Sequence, residues 1–291
     1  MNVSVIGGDS RIVELVKLLA NDKNELCLFG LGQCDELKEF KQASNLDEAL
    51  QKAEIVITSI PLSKNGKCIN TAFTEKTILV EDFFDKAKNK KIFTGNITEE
   101  IRKCIKKENN NEIIDVLKYE ELTVMNVIPT AEGAIQIAME RSKITLHDSN
   151  CLVLGFGRIG KILAKMLQGL GANVYCEARK QHDLAWIKAY GYNEIHLNDL
   201  NKKLGEFDFI FNTIPHLILD KTNLGLVKKD CILIDLASKP GGIDFDEANR
   251  LGLQNEWALA LPGKVAPKTA ARYIYEMILT ILGTSTQITN W

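Results

Sequence analysis

Short apolar runs alternate along this chain with segments in which apolar residues recur about every three to four positions. VSVI at 3–6 precedes RIVELVKLLA at 11–20, and CLVLG at 151–155 precedes KILAKMLQGL at 161–170. Runs of the first kind are typical of buried strands, and the recurring pattern is typical of helices that cover them. The alternation therefore predicts an α/β fold with parallel sheets.

The same succession of segments occurs twice. Three pairs match in the same order. They are VSVIGGDSRIVELVKLLA (3–20) with VLGFGRIGKILAKMLQGL (153–170), EIVITSIP (54–61) with DFIFNTIP (208–215), and TILVEDF (77–83) with CILIDLA (231–237). We therefore predict two Rossmann-like, doubly wound parallel-sheet lobes with a cleft between them. Ligands of such sheets bind outside the carboxyl ends of the strands, so we expect the substrate in that cleft.

The predicted domain limits follow from this repeat. The first lobe, Rossmann-like with a flavodoxin-like character, covers 1–128, and the second lobe covers 145–266. The run before Pro129 is strand-like, so a linking helix is predicted over 129–144, with Thr130 as its cap. A C-terminal helix over 267–291 is predicted to pack back on the first lobe or to form a dimer interface.

Composition excludes several classes of protein. The 291 residues carry a net charge of −2, which gives no reason to expect nucleic acid or an anionic membrane as a partner. No leader and no apolar run of membrane-spanning length is present, so we expect a cytoplasmic protein. The 7 cysteines are scattered through apolar runs and the 4 histidines stand apart, so no metal site is expected.

A glycine-rich turn predicts a dinucleotide site in the second lobe. Gly155, Gly157 and Gly160 follow a strand-like run and open a helical one. The first glycine permits the tight turn, the second lets the backbone approach the pyrophosphate, and the third lets the helix pack closely on the strand. Phe156, Arg158 and Ile159 complete the predicted loop.

The end of the next strand indicates which dinucleotide binds. NAD sites usually place Asp or Glu there, about 20 residues after the loop, to bind the ribose 2′-hydroxyl. Here Ala178 is followed by Arg179 and Lys180, whose charges suit a 2′-phosphate. We predict NADP, with NAD as the weaker alternative. Glu177 would reach the ribose if the strand ended one residue earlier, but we expect it to be a solvated strand-edge residue.

Residues that follow two later strands are the catalytic candidates. Asn212, Thr213, Ile214 and Pro215 are predicted to border the cofactor, and His216 is the only histidine expected at a strand end. After the next strand, a carboxylate, a hydroxyl and an amine precede a pair of glycines, and we predict catalytic roles for these residues, Asp235, Ser238 and Lys239. The alternatives remain that His216 is a surface residue and that Asp235 caps a loop.

The first lobe offers candidates for substrate binding. Arg11 suits a carboxylate through its bidentate guanidinium, although a solvated helix position is an equal alternative. The predicted substrate residues from strand ends and from the linking helix are Gly8, Asp9, Arg11, Ser59, Pro61, Thr130, Glu132 and Gly133.

Taken together, these segments resemble the A-subunit family of dipicolinate synthase from spore-forming bacteria. The resemblance spans almost the whole chain and includes VIGGDSR, IPTAEGAI, LGFGRIGK, CEARK, FNTIP, LIDLASKPGG and LPGKVAPKTA. It implies NADP-linked oxidation of a reduced precursor, made from 4-hydroxy-tetrahydrodipicolinate, to pyridine-2,6-dicarboxylate in the mother cell during sporulation. It also implies a small dicarboxylate substrate and the dipicolinate synthase B-subunit for a partner, and we expect a homodimer.

Two other readings stay open. The chain would be a non-catalytic cofactor- or substrate-binding component of the synthase if its site lacks a proton acceptor beside the nicotinamide. The second lobe also looks like the cofactor domain of 2-hydroxyacid and alanine dehydrogenases. The hydroxyacid enzymes, however, carry an Arg close after the fifth strand and a His near the last loop. Here Ser238 or Lys239 stands in the first place, and LPGKVAP (261–267) contains no histidine.

Overall fold

The computed structural model describes residues 1–283, which divide into two compact units. Unit 1 comprises Met1–Asn126 and the segment that starts at Ala266, and unit 2 comprises Val127–Val265. The last part of the predicted C-terminal helix, 284–291, lies outside the described residues.

Unit 1 is built on a parallel sheet of 6 strands in the order β3-β2-β1-β4-β5-β6. The strands are β1 (Asn2–Ile6), β2 (Glu25–Phe29), β3 (Lys41–Gln42), β4 (Ile55–Thr58), β5 (Lys91–Thr94) and β6 (Glu112–Asp115). Its helices are α1 (Ser10–Asn21), α2 (Leu46–Gln51), α3 (Val80–Lys86), α4 (Glu99–Cys104) and the start of α5 (Glu120–Arg141).

Unit 2 repeats this plan with a parallel sheet of 6 strands in the order β12-β11-β10-β7-β8-β9. The strands are β7 (Asn150–Leu154), β8 (Asn173–Ala178), β9 (Asn193–His196), β10 (Phe209–Asn212), β11 (Ile232–Asp235) and β12 (Gln254–Trp257). Its helices after α5 are α6 (Arg158–Gly169), α7 (Gln181–Ala189), α8 (Phe245–Arg250) and α9 (Leu261–Val265). A last helix, α10 (Pro267–Leu282), belongs to unit 1.

Both sheets have the strand order of dinucleotide-binding domains, so the predicted α/β class with two Rossmann-like lobes is confirmed. The flavodoxin-like character predicted for the first lobe is wrong, because a flavodoxin-like sheet places its second strand at the edge and its first strand next to its third. In unit 1, β3 is the edge strand beside β2, and β1 lies between β2 and β4.

The internal repeat holds for two of the three predicted pairs. Segments 3–20 and 153–170 contain the ends of β1 and β7 and nearly all of the helices that follow them, and segments 54–61 and 208–215 contain β4 and β10. The third pair is wrong, because TILVEDF (77–83) runs into α3 while CILIDLA contains β11. Val80, Phe83 and Phe84 are all buried, which is the spacing of a helix face rather than of a strand.

The linking helix begins earlier than predicted. α5 starts at Glu120, and Pro129 lies inside it, so the strand-like run is helical and Thr130 is not its cap. Pro129 removes one backbone donor but does not end the helix. The boundary between the two units falls within α5, at Asn126 and Val127.

Helix α10 packs into the core of unit 1. Ala271, Ile274 and Ile278 belong to the same buried apolar cluster as Ile12 and Leu15 of α1. No helix within residues 1–283 has the length and apolarity that a membrane span requires.

Candidate functional site

The glycine turn of unit 2 connects β7 to α6. A Cβ on Gly160 would lie 2.1 Å from the backbone oxygen of Gly155, so only glycine lets this first turn of the helix pack on the loop. Gly155 has φ +90°, in the left-handed region that favours glycine. A Cβ on Gly157 would meet no described atom within 4 Å, so this position faces open space. The three glycines therefore provide a tight turn, close packing and room for a ligand.

Thr213 fixes this turn from the neighbouring strand β10. Its hydroxyl donates to the backbone oxygen of Leu154 over 2.8 Å, and its amide donates to the same oxygen over 3.0 Å. A Cβ on Gly155 would approach the Thr213 hydroxyl to 2.7 Å. The turn and the end of β10 are thus held together, and Thr213 acts on the loop through the backbone.

The N-terminus of α6 is open to an anion. Its N-cap is Gly157, and no side chain caps the first turn. The free N–H groups and the helix dipole favour a negatively charged group at this position, and a pyrophosphate fits the room beside Gly157. This turn therefore fits a dinucleotide on the geometry of its own residues.

The corresponding turn of unit 1 is closed by its own side chain. Asp9 is the N-cap of α1, and its carboxylate accepts the backbone N–H of Arg11 over 3.0 Å. A Cβ on Gly8 would lie 2.4 Å from Ile12, so the loop also packs tightly on the helix. The Asp9 carboxylate occupies the place that an anion would take, and this turn is not a second dinucleotide loop.

The other residues of the unit 2 turn differ in exposure. Phe156 is buried, and its ring lies 6.3 Å from the Tyr192 ring in an edge-to-face contact. Ile159 is half-buried and Arg158 is exposed. Phe156 therefore serves the core, and only its backbone faces the turn.

Strand β8 ends at Ala178, as the sequence predicts, and Arg179 and Lys180 are exposed beyond it. Lys180 is the N-cap of α7, and no side chain caps that helix. Two cations thus lie beside a second uncapped helix N-terminus, an arrangement that suits a phosphate.

Glu177 is not the solvated residue that we expected. It is 1% exposed, and both of its carboxylate oxygens are buried without a hydrogen-bond partner within residues 1–283. Burial raises the pKa of this carboxyl, and the nearby Gly155 amide and Arg179 guanidinium offset only part of that rise. Because its oxygens do not reach the surface, Glu177 cannot bind a ribose hydroxyl from where it stands.

Asn212 and Asp235 form a buried pair at adjacent strand ends. The two residues are in register on β10 and β11, and both are 0% exposed. The Asn212 amide donates to one Asp235 carboxylate oxygen over 2.7 Å, and the Ala237 amide donates to the same oxygen over 2.9 Å. The other oxygen accepts the Gly242 amide over 2.7 Å. Asp235 therefore lies beneath the loop that follows β11, not at its surface.

The remaining catalytic candidates are exposed. Ser238, Lys239 and His216 all lie at the surface of unit 2, and Lys239 makes no hydrogen bond or ion pair with residues 1–283. His216 is not the only histidine at a strand end, because His196 ends β9 and its Nδ1 accepts the Asn198 amide. The sequence pattern missed His196 because the strand before it is short and mostly polar.

Arg11 is ordered by unit 1 and is not a solvated helix residue. Its side chain is 12% exposed, and Nε and Nη2 donate to the Asp9 carboxylate over 3.0 and 2.7 Å. Nη2 also donates to the backbone oxygen of Ile60. Within residues 1–283, Nη1 has no hydrogen-bond partner. The guanidinium is therefore held in one orientation with one amino group free.

The other strand-end candidates of unit 1 follow the same two strands, β1 and β4. Ser59 follows β4 and is 2% exposed, and its amide donates to Ile6 over 3.2 Å. Asn70, which the sequence did not single out, accepts the Gly8 amide on its backbone oxygen and donates from its side chain to the Pro61 oxygen, both over 2.8 Å. Asn70 therefore connects the ends of β1 and β4.

The three candidates on α5 have different environments. Glu132 is exposed and Thr130 is half-buried. Gly133 is buried and packs inside unit 2. A Cβ there would lie 3.1 Å from Leu261 and 3.2 Å from Val265, both on α9. Gly133 is small because another helix lies against it.

Two other kinds of chemistry find no support in the described residues. Within residues 1–283 no group of three or more His, Cys, Asp or Glu side chains is placed to hold a metal. Burial raises the pKa of the Cys151 thiol to about 12, so this thiol is not a nucleophile near neutral pH.

Comparison with known proteins assigns the two halves of the chain to family models. Residues 2–117 match the model of the N-terminal domain of the dipicolinate synthase A-subunit, and residues 129–240 match that of the D-isomer specific 2-hydroxyacid dehydrogenase NAD binding domain. The chain is 31% identical to the dipicolinate synthase A-subunit of Bacillus subtilis, over 97% of this chain and 96% of the relative. This chain belongs to the dipicolinate synthase A-subunit family. The resemblance drawn from the sequence is confirmed.

Solved structures of the same family have the same fold. The dipicolinate synthase A-subunit from Bacillus halodurans superimposes with a TM-score of 0.87 at 30% identity, over 97% of each chain. The A chain of dipicolinate synthase from Bacillus subtilis gives a TM-score of 0.84 at 30% identity, over 97% of this chain and 96% of that one. Unit 2 thus carries a nicotinamide dinucleotide-binding domain of the dehydrogenase type.

Proposed function

We propose that this chain is an NADP-dependent oxidoreductase that converts a reduced dipicolinate precursor to pyridine-2,6-dicarboxylate. The observation that carries the proposal is the open glycine turn at α6, in a chain whose family is named for dipicolinate synthesis. When bound, the nicotinamide supplies a hydride acceptor.

The proposed reaction balances in two steps. The 4-hydroxy-tetrahydrodipicolinate first loses water by elimination of its C4 hydroxyl and a neighbouring proton. The dihydropyridine that results would then lose a hydride, for which a bound nicotinamide would be the acceptor, and a proton to a base, which would leave the aromatic ring. This chain's residues have to bind a dicarboxylate and accept a proton of modest acidity.

The preference for NADP rests on the end of β8. Arg179 and Lys180 are exposed beside the uncapped N-terminus of α7, so charge and free N–H groups both favour a phosphate there. Glu177, the carboxylate that would select NAD, is buried with its oxygens inaccessible. The 2′-phosphate is therefore the group that these residues would recognise.

Lys239 and His216 are the proposed proton acceptors, with Ser238 beside them. Both side chains are exposed and follow strands whose ends border a dinucleotide in this fold. Lys239 has two alternative roles, because its neutral amine would accept a proton, whereas its ammonium would bind a substrate carboxylate. A Lys239→Gln variant separates these roles: loss of a proton acceptor lowers kcat, whereas loss of a carboxylate contact raises KM.

Unit 1 is proposed to bind a substrate carboxylate through Arg11. The ion pair with Asp9 and the bond to Ile60 fix the guanidinium, so its free Nη1 is preorganised as a donor. Gly8, Ser59 and Pro61 follow the ends of β1 and β4, and they are the further residues that we propose for substrate binding in this unit.

The family name also suggests the setting in which the chain works. We propose that it acts with the dipicolinate synthase B-subunit in the mother cell of a sporulating bacterium, as a homodimer. Light scattering of the chain alone measures the homodimer, and light scattering of the chain mixed with the B-subunit measures the complex. A chain that stays monomeric and does not bind the B-subunit would contradict both proposals.

The proposed function is tested by mixing the purified chain with enzymatically made 4-hydroxy-tetrahydrodipicolinate and NADP or NAD, with and without the B-subunit. We expect reduced cofactor and dipicolinate with NADP. If no combination yields reduced nicotinamide while NADP still binds, the chain only holds the cofactor and is not the oxidoreductase.

A further inference from the structure

Asp235 was the strongest carboxylate candidate for acid–base chemistry, yet its position does not suit a proton acceptor. Both oxygens accept hydrogen bonds, from the Asn212 side chain and from the amides of Ala237 and Gly242. The residue is 0% exposed and makes no ion pair within residues 1–283. A base that exchanges protons with a substrate needs a free lone pair within reach of it.

The two amides that Asp235 accepts lie at the two ends of one loop. Ala237 begins the segment that follows β11 and Gly242 ends it, so one carboxylate closes both ends. Ser238, Lys239 and Pro240 lie between them and are exposed. The carboxylate thus holds the base of the loop while its tip, with Lys239, stands at the surface.

Asn212 connects this loop to the one that follows β10. Its side chain donates to the Ile214 oxygen over 3.0 Å and accepts the Ile214 amide over 3.1 Å, in addition to the bond to Asp235. The backbone oxygen of Gly242 also accepts the amides of Ile218 and Leu219. The two loops that carry His216 and Lys239 are therefore tied together beneath the surface.

The two glycines after the loop tip are required by this arrangement. A Cβ on Gly242 would lie 2.4 Å from the Asn212 side-chain nitrogen and 2.7 Å from the Ile214 oxygen. Gly241 has φ +85°, and a Cβ there would lie 2.9 Å from an Asp235 oxygen. The glycines let the loop backbone reach the carboxylate.

We propose that Asp235 is a positioning residue, which with Asn212 fixes the loop of Lys239 relative to the loop of His216 and does not itself exchange a proton. The effect of Asp235 on catalysis rests on the proposed function. The effect of Asp235 on the conformation of the two loops does not, because it can be measured on the chain without ligands.

The first test is hydrogen exchange of an Asp235→Asn variant in the absence of ligands. The new NH₂ group would face either the Gly242 amide or the donors of Asn212 and Ala237, so at least one end of the loop loses its acceptor. We expect exchange of the amides in 236–242 to accelerate roughly tenfold or more, with the rest of unit 2 unchanged. The matched control is Asp244→Asn, because the Asp244 carboxylate accepts only the Glu247 amide at the start of α8 among the described residues.

An Asn212→Ala variant provides a second test in case the Asp235→Asn variant does not fold. It removes the bonds to Ile214 but leaves the Asp235 bonds to Ala237 and Gly242, so exchange should accelerate more in 213–219 than in 236–242. Wild-type exchange in both loops of the Asp235→Asn variant would overturn the proposal, and so would equal acceleration throughout unit 2 in the Asn212→Ala variant.

The second test applies once turnover is measured. A positioning role predicts that Asp235→Asn lowers kcat and keeps the acid limb of the pH profile, whereas removal of the proton acceptor abolishes that limb. Loss of the acid limb with wild-type loop exchange would make Asp235 the base. If the chain turns over no substrate, the proposed function fails, and the exchange experiment still decides the role of Asp235.

Discussion

The two glycines at the start of α6 predict opposite effects of the same substitution. A Cβ on Gly157 would meet no described atom within 4 Å, and the residue has φ −82°, which alanine adopts. A Cβ on Gly160 would lie 2.1 Å from the Gly155 oxygen. Gly157→Ala should therefore spare the fold and block the ligand, whereas Gly160→Ala should damage the fold.

The magnitudes follow from these contacts. At Gly160 the overlap is with backbone, so the cost is near the upper end of the overpacking range, about 3 kcal/mol, and the helix propensity of alanine returns about 1 kcal/mol. The free energy of unfolding should fall by about 2 kcal/mol. At Gly157 the N-cap loses a favoured residue, which costs about 0.5 kcal/mol.

Urea unfolding and calorimetric titration with NADP measure the two properties separately. We expect Gly157→Ala to unfold close to wild type and to bind NADP at least about tenfold more weakly, because its methyl group takes the room of the pyrophosphate. Wild-type NADP affinity in Gly157→Ala would refute the assignment of this turn as the dinucleotide site. Wild-type stability in Gly160→Ala would refute the packing argument.

Three further predictions concern other parts of the chain. Arg179→Ala should weaken NADP binding by about 1.5 to 3 kcal/mol and leave NAD almost unchanged in the same titration, and equal weakening of both would contradict the 2′-phosphate assignment. Because burial raises the folded-state pKa of Glu177, its stabilising contribution is present below its unfolded-state pKa of about 4.3 and is lost as pH rises through the raised value. Glu177→Gln should therefore unfold at higher urea than wild type at about pH 8 and at similar urea at about pH 4, and a constant difference at both would exclude the buried charge. Ile274→Ala should lower the stability of unit 1 by about 2 to 5 kcal/mol in urea unfolding, because Ile274 is 0% exposed, and an unchanged midpoint would show that α10 does not carry the core.

Local sequence patterns predicted the parts of this fold that local chemistry determines. The turn at Gly155 is readable because each glycine has a backbone reason. Strands β4 and β10 are apolar runs that end at Thr58 and Asn212, and β1 and β7 are mostly apolar runs that lead into glycine turns. The end of β8 at Ala178 is predictable because two charged residues, Arg179 and Lys180, follow it. These features need no knowledge of distant contacts.

The features that the sequence did not predict depend on packing partners elsewhere in the chain. The run before Pro129 suits a strand or a helix equally, and its helical state extends α5 to Glu120. Gly133 is explained only by α9 lying against it. The inaccessibility of Glu177 and the three hydrogen bonds to Asp235 also depend on neighbouring strands and loops. Charged residues are rarely fully buried, so the sequence alone does not predict the burial of Glu177 or of Asp235.

The central claim is that this chain passes a hydride from a reduced dipicolinate precursor to NADP. The most direct measurement follows NADPH and dipicolinate together after the chain, with the B-subunit where required, is mixed with NADP and 4-hydroxy-tetrahydrodipicolinate. We expect equal amounts of the two products, and no products when the chain is omitted. Dipicolinate that forms without NADPH would contradict the claim.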